Sequence, residues 1–167
     1  ECPVFLFVGT APHKNLARVK EALIGINCVL DIVGKIPDEL RDSMKKSQVK
    51  MRESINISDE ELANKYVDCD ALLFPSTFEG FGLPIVEAQK SGRPVITSII
   101  SPMKDVAGKG ACIVDPANVQ SIRKGILRVI EDEEYRDCIV REGFENLEQY
   151  LPENIAERYM DQYRILS

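Results

Sequence analysis

Two glutamates and a lysine carry the chemistry this sequence could perform. Glu79 and Glu87 bracket the segment Gly80-Phe81-Gly82-Leu83-Pro84-Ile85-Val86. Gly80 and Gly82 allow positive φ and a close approach of backbone to a ligand. Pro84 suits the first position of a helix, where its missing N–H costs nothing. The free N–H groups near that helix start, with the helix dipole, would favour an anion such as phosphate. Glu79 then falls in the loop and Glu87 one turn into the helix, where an ionised carboxylate is a good acceptor for sugar or ribose hydroxyls. A second segment, Val8-Gly9-Thr10-Ala11-Pro12-His13-Lys14-Asn15, is a turn leading directly into a helix and offers Lys14 as a cation. Read alone, each feature also has a plain structural explanation. Gly80, Gly82 and Pro84 equally describe an ordinary tight strand-to-helix turn, common where strands and helices alternate. A lysine at a helix start is more often solvated than bound to phosphate. His13 is the single histidine of the chain and reads as a loop residue, since no second one exists to build a metal site with it.

These segments need a scaffold that brings strand ends together, and the rest of the chain supplies one. Short apolar runs at Val4–Val8, Cys28–Val33, Val49–Glu53, Ala71–Phe74, Pro94–Thr97 and Ala111–Val114 read as strands. Most are nearly continuous, which suits parallel strands buried on both faces. Between them, Leu16, Val19, Leu23 and Ile26 follow helical spacing, as do Leu62, Tyr66 and Cys69, and Val119, Ile122, Ile126 and Val129. Ser58 followed by Glu61 is a capping-box start. Such alternation predicts an α/β fold: a three-layer, doubly wound, Rossmann-like parallel sheet of about six strands with right-handed crossovers. Three extra C-terminal helices are expected over 118–131, 133–149 and 152–166, the last with Ile155, Tyr159, Tyr163 and Leu166 on one packing face. In an open parallel sheet, ligands bind beyond the carboxyl ends of the strands, where both segments would lie.

Composition narrows the function class. The 167 residues suit one domain. The net charge of −6 comes with no basic stripe, so no nucleic-acid partner is expected. Anion binding must therefore come from local features. No apolar run approaches the ~20 residues a membrane helix needs. The opening Glu-Cys-Pro-Val-Phe-Leu-Phe-Val has no basic leader and reads as a strand, as in a piece cut from a longer chain. Five widely spaced cysteines without a Cys-x-x-Cys pair argue against a disulfide framework or structural zinc, and for a reducing, cytoplasmic setting.

Taken together, the motifs resemble family 4 of the retaining glycosyltransferases. Phe74-Pro75-Ser76 precedes the Glu79–Glu87 segment, and Glu87-Ala88 with Ser91-Gly92-Arg93-Pro94-Val95 follows it, as in that family. Val8-Gly9-Thr10 with Lys14-Asn15-Leu16, Ser58-Asp59-Glu60-Glu61-Leu62 and Val114-Asp115-Pro116 fall in the same order. The resemblance implies one half of a GT-B enzyme, with residues 1–167 as the C-terminal donor domain. The absent N-terminal domain would hold the glycan or lipid-linked acceptor, and any membrane contact would come through it. By the same resemblance, Lys14 neutralises the diphosphate of a nucleotide-sugar and Glu79 lies beside the transferred sugar. Glu87 binds the ribose hydroxyls, and Gly9, Thr10, His13, Gly80, Phe81, Gly82 and Leu83 line the donor site. No cofactor or metal is expected, on the reading that the chain offers no Asp-x-Asp triplet to hold one.

This sequence departs from the family at Thr10 and His13, where many relatives have an arginine beside the glycine or the lysine. Asp105 likewise stands for the usual glutamate. Lys45, Lys46, Lys50 and Arg52 are either near the nucleotide or a solvated face. Two other readings fit the same pattern: another GT-B enzyme, such as a nucleotide-sugar epimerase or a phosphorylase, or a non-catalytic doubly wound binding or regulatory module. A dehydrogenase fits poorly, because no Gly-x-Gly-x-x-Gly follows the first strand.

Overall fold

Phe5, Leu6 and Phe7 point alternately to opposite sides of a strand, yet none is more than 1% exposed. β1 (Val4–Val8) is therefore covered on both faces, and the rest of the architecture follows from how it is covered. The computed structural model describes residues 2–166. The further strands are β2 (Val29–Val33), β3 (Lys50–Ser54), β4 (Ala71–Phe74), β5 (Val95–Ser98) and β6 (Cys112–Val114). They form one six-stranded sheet in the order β3-β2-β1-β4-β5-β6, and every pairing is parallel. The fold is the expected α/β, Rossmann-like sheet, and its strand order reverses between β1 and β4.

Helices cover the two faces separately. On one side, α1 (Leu16–Leu23), α2 (Asp38–Lys46) and α6 (Val119–Glu131) bury Val19, Leu23, Met44, Ile122 and Ile126 against Phe5, Phe7, Leu30, Ile32 and Leu73. On the other, α3 (Asp59–Asp68), α4 (Leu83–Lys90) and α5 (Met103–Ala107) place Tyr66, Ile85, Ala88 and Met103 against Leu6, Leu72, Phe74 and Val95. α3 starts at the anticipated capping box: Ser58 accepts from the Glu61 N–H, and the Glu61 side chain accepts from the Ser58 N–H. α7 (Glu133–Leu147) passes beneath the amino ends of the strands, with Ile139 in the first core and Gly143 against Gln89 of α4. A short 3₁₀ turn, Glu148–Tyr150, leads into α8 (Pro152–Leu166).

Several expectations need correction. β3 lies at a sheet edge with Lys50 and Arg52 exposed, so it is no buried apolar run; charges on an edge discourage pairing with another chain. α1 stops at Leu23, before Ile26. Tyr159 and Tyr163 do not pack: they are 65% and 67% exposed, and Ile155 is 38% exposed. The side chain of Leu166 lies outside the described residues. α8 thus presents an apolar stripe that this chain leaves open. Among the described residues, no helix is long and apolar enough to cross a membrane.

Candidate functional site

The two candidate segments follow β1 and β4, the neighbouring strands where the order reverses, and that is where an open parallel sheet forms its crevice. After β1 the chain makes a 3₁₀ turn, Pro12–Lys14. Asn15 then adopts a left-handed conformation (φ 71°) before α1 begins, a geometry that asparagine tolerates better than most residues. The amide of Asn15, 4% exposed, donates to the carbonyls of Pro75 at 3.0 Å and Pro116 at 2.8 Å. It therefore joins the loops after β1, β4 and β6. Thr77 strengthens the join by donating its backbone N–H to His13 O at 2.8 Å.

This seam brings Lys14 and Glu79 together. Lys14 Nζ lies 2.8 Å from Glu79 Oε1, with the two side chains 15% and 12% exposed. The ammonium also sits 4.6 Å from the centre of the Phe74 ring, a cation–π contact. Gly9 leaves room for the lysine stem, since a Cβ there would lie 2.9 Å from Lys14 Cε. The N–H of Gly9 is committed to Val33 O at 2.8 Å, so Gly9 contributes space and not a hydrogen bond. Thr10 is likewise engaged, its hydroxyl donating to Lys35 O at 2.8 Å. His13 is half-buried beside them, with its carbonyl held by Thr77.

After β4 the loop turns into α4 through Gly82, at φ 105° and ψ 43°. That left-handed geometry favours glycine, and a Cβ there would also press on Ile85 Cδ1 at 3.2 Å. Gly80 has open space around it and does not take positive φ. The helix begins at Leu83, so Pro84 stands at its second position. The N–H of Ile85 is turned back to Gly82 O. The amides of Phe81, Gly82 and Leu83 donate to no group among the described residues, and they are the ones available to an anion. Phe81 packs its ring edge-on against Tyr150, with centroids 5.9 Å apart, while Phe78 and Leu83 are 70% and 61% exposed. One turn into α4, Glu87 Oε2 accepts a 2.6 Å hydrogen bond from the hydroxyl of Tyr66.

Sequence reasoning did not single out Asn15, Tyr66 or Ser76 as parts of the site. Asn15 sits in plain view beside Lys14. Tyr66 shares a helical face with Leu62 and Cys69 and so resembles core. Ser76 is fully buried, and its hydroxyl has no hydrogen-bond partner among the described residues.

The basic residues read as possible neighbours of the nucleotide lie elsewhere. Lys45 and Lys46 end α2, and Lys50 opens β3, placing all three at the amino ends of the strands, where Lys50 bonds Asn27 at 2.8 Å. The expectation of no Asp-x-Asp triplet needs correction, because Asp68-Cys69-Asp70 has that spacing. It precedes β4 at that same far end, and Asp70 accepts the N–H of Val4 at 2.7 Å. A cavity of about 580 Å³, lined by Phe5, Asp70, Arg93, Pro94, Arg136 and Val140, also opens there. The carboxyl ends carry the convergent charges, the free amides and the helix start, so the candidate site is placed there and not in that cavity.

Comparison with known proteins points the same way. Residues 1–146 match the family model described as glycosyl transferases group 1. The chain is 32% identical over 110 residues to an O-antigen chain mannosyltransferase B of Escherichia coli, covering 66% of this chain and 29% of that protein. It thus spans less than a third of that relative. Among solved structures, it is similar to a sucrose-phosphate synthase from Thermosynechococcus elongatus (TM-score 0.85, 22% identity, 99% of this chain and 46% of that one). It is also similar to the C-terminal domain of the glycosyl transferase group 1 family protein LpcC from Francisella tularensis (TM-score 0.76, 20% identity, 89% of this chain and 85% of that one).

Proposed function

This chain belongs to the glycosyl transferases group 1 family, and from that premise we propose that it is the donor-binding half of a retaining, two-domain glycosyltransferase of family 4. The observation that carries the reading is the meeting of Lys14 with Glu79 at 2.8 Å beside the free amides of Phe81, Gly82 and Leu83. A cation and a set of aimed N–H groups at a helix start suit a diphosphate. As the glycosidic bond breaks, the leaving nucleoside diphosphate gains negative charge. Lys14 and the amides stabilise that charge more in the transition state than before it. In this reading they take the part a metal plays elsewhere, and no cofactor is needed. Glu79 accepts from hydroxyls of the sugar, and Glu87 accepts from the ribose. The free cysteines suit a reducing cytoplasm, where nucleotide-sugars are made.

The acceptor, a glycan or a lipid-linked sugar, is assigned to a second domain facing this one. The open apolar stripe of α8 and the exposed Phe78 and Leu83 are surfaces such a domain would cover. Without it, the positioning that makes transfer effectively intramolecular is missing, so this chain alone is expected to bind the donor and to transfer sugar poorly. The relative of Escherichia coli is named a mannosyltransferase, which makes GDP-mannose the first donor to try.

The test is a melting-temperature screen of this chain against GDP, UDP, ADP, CMP and their common sugar conjugates, with and without a chelator. Concentration-dependent stabilisation by one nucleotide, lost in Lys14→Met and Glu87→Ala variants that remain folded, is the expected result. A well-folded chain that no member of the panel stabilises at millimolar concentration overturns the donor-site reading. Stabilisation that the chelator abolishes overturns the metal-free part of it.

A further inference from the structure

Glu87 is held from behind by a residue that never reaches the surface. Tyr66, on α3, is 2% exposed, and its ring is packed among Leu72, Phe74, Ile85 and Ala88. Its hydroxyl emerges from that core at one point, to donate to Glu87 Oε2 at 2.6 Å. The other carboxylate oxygen, Oε1, takes no hydrogen bond among the described residues. A glutamate one turn into a helix ordinarily samples several rotamers, and ordering it costs free energy when it binds. Here an immobile donor has already fixed one oxygen, so that the other keeps a single direction.

We propose that Tyr66 is a positioning residue for donor binding: it pins Glu87 through Oε2, so that Oε1 is presented to the ribose and the site prefers nucleoside diphosphates with free ribose hydroxyls. This inference rests on the reading of Glu87 given above. It adds an agent for the orientation, reached through α3 and not through either loop of the site. The chemistry of the phenol agrees. Burial first, then the hydrogen bond to Glu87 and its negative charge, push the Tyr66 hydroxyl far above the ordinary tyrosine range. The shift keeps the hydroxyl protonated, and so a donor, through the neutral range. A buried tyrosine hydroxyl needs a partner, and this one has chosen a carboxylate that no packing argument requires.

The experiment is calorimetric titration of wild type and Tyr66→Phe with GDP and UDP, each against its 2′,3′-dideoxy analogue. Wild type is expected to bind the better ribonucleotide more tightly than its dideoxy form. Tyr66→Phe is expected to weaken the ribonucleotide about fivefold to tenfold, while changing the dideoxy form less than about twofold. In a Glu87→Gln background, Tyr66→Phe should lose most of its effect on ribonucleotide binding. If Tyr66→Phe leaves the ribose preference intact, or weakens both ligands equally, the positioning role is overturned. If wild type itself shows no ribose preference, the assignment of Glu87 fails instead, and the two failures are distinct. Should Tyr66→Phe not fold, p-aminophenylalanine in place of Tyr66 keeps the ring with a weaker donor. An intermediate ribose preference then supports the proposal, and an unchanged one overturns it.

Discussion

Lys14 is already engaged before any ligand arrives. With Glu79 at 2.8 Å and both side chains mostly buried, a diphosphate must draw the ammonium away from a carboxylate that also repels it. Glu79→Gln should therefore bind a bare nucleoside diphosphate about threefold to tenfold more tightly, because it removes both the competitor and the repulsion. Lys14→Met keeps the methylene stem that packs beside Gly9 and should weaken the same ligand by about tenfold or more. Titration calorimetry checks both, and opposite signs for the two variants are the required outcome. Lys14 and Glu79 stood out as candidates in the sequence because they sit in short, glycine-marked turns, and Glu87 because it closes, inside α4, the glycine-marked segment that Glu79 opens. Tyr66 and Asn15 were not, because their roles are tertiary. A tyrosine on an apolar helix face looks the same whether or not its hydroxyl meets a glutamate from another helix. An asparagine after a lysine gives no sign that two distant carbonyls await it.

Among the elements, the seams matter more than the helices. A Cβ on Gly110 would lie 2.4 Å from Gly143 Cα and 2.7 Å from Gln89 Nε2, so the turn before β6 and α7 touch backbone to backbone. Gly110→Ala must push α7 off Gln89, which itself bonds Ala107 O and Gly110 O. A loss of about 2–4 kcal/mol is expected in urea unfolding. At the other seam, Asn15→Asp replaces a double donor by an acceptor facing the Pro75 and Pro116 carbonyls. It should cost about 2–4 kcal/mol and loosen diphosphate binding as well. The same scale shows where pattern reading succeeds. Each strand lies within one residue of its expected ends, because runs such as Phe5-Leu6-Phe7 must be buried on both sides. α2 and α5 left no such trace. α2 buries only Met44 and is otherwise charged, and α5 has five residues, too few for a period to show. α8 misled because an amphipathic stripe predicts that a face is covered without saying by what.

For the molecule as a whole, the interior sets a limit on alkali. Burial raises the Cys28 and Cys69 thiols from 9.0 to about 11, so the native state holds those protons more tightly than the unfolded chain does. Their contribution is complete below pH 9 and is lost as the pH climbs from 9 toward 11. Melting temperatures should stay level up to about pH 9 and fall above it, while iodoacetamide at about pH 8 should label exposed Cys2 and spare Cys28, Cys69 and Cys112 in the folded chain. The sheet order adds a consequence in time. Lys14 meets a partner 65 positions later, and Asn15 closes on a carbonyl 101 positions later. A ribosome therefore releases the cation long before the groups that aim it, and the seam cannot close until the turn beyond β6 has emerged. Until then the lysine of a nascent chain is only a solvated charge, and the proposed diphosphate would find no aimed cation. On the donor-site reading, ligand stabilises only a chain in which Asn15 has met Pro116, so binding also reports that this seam has closed.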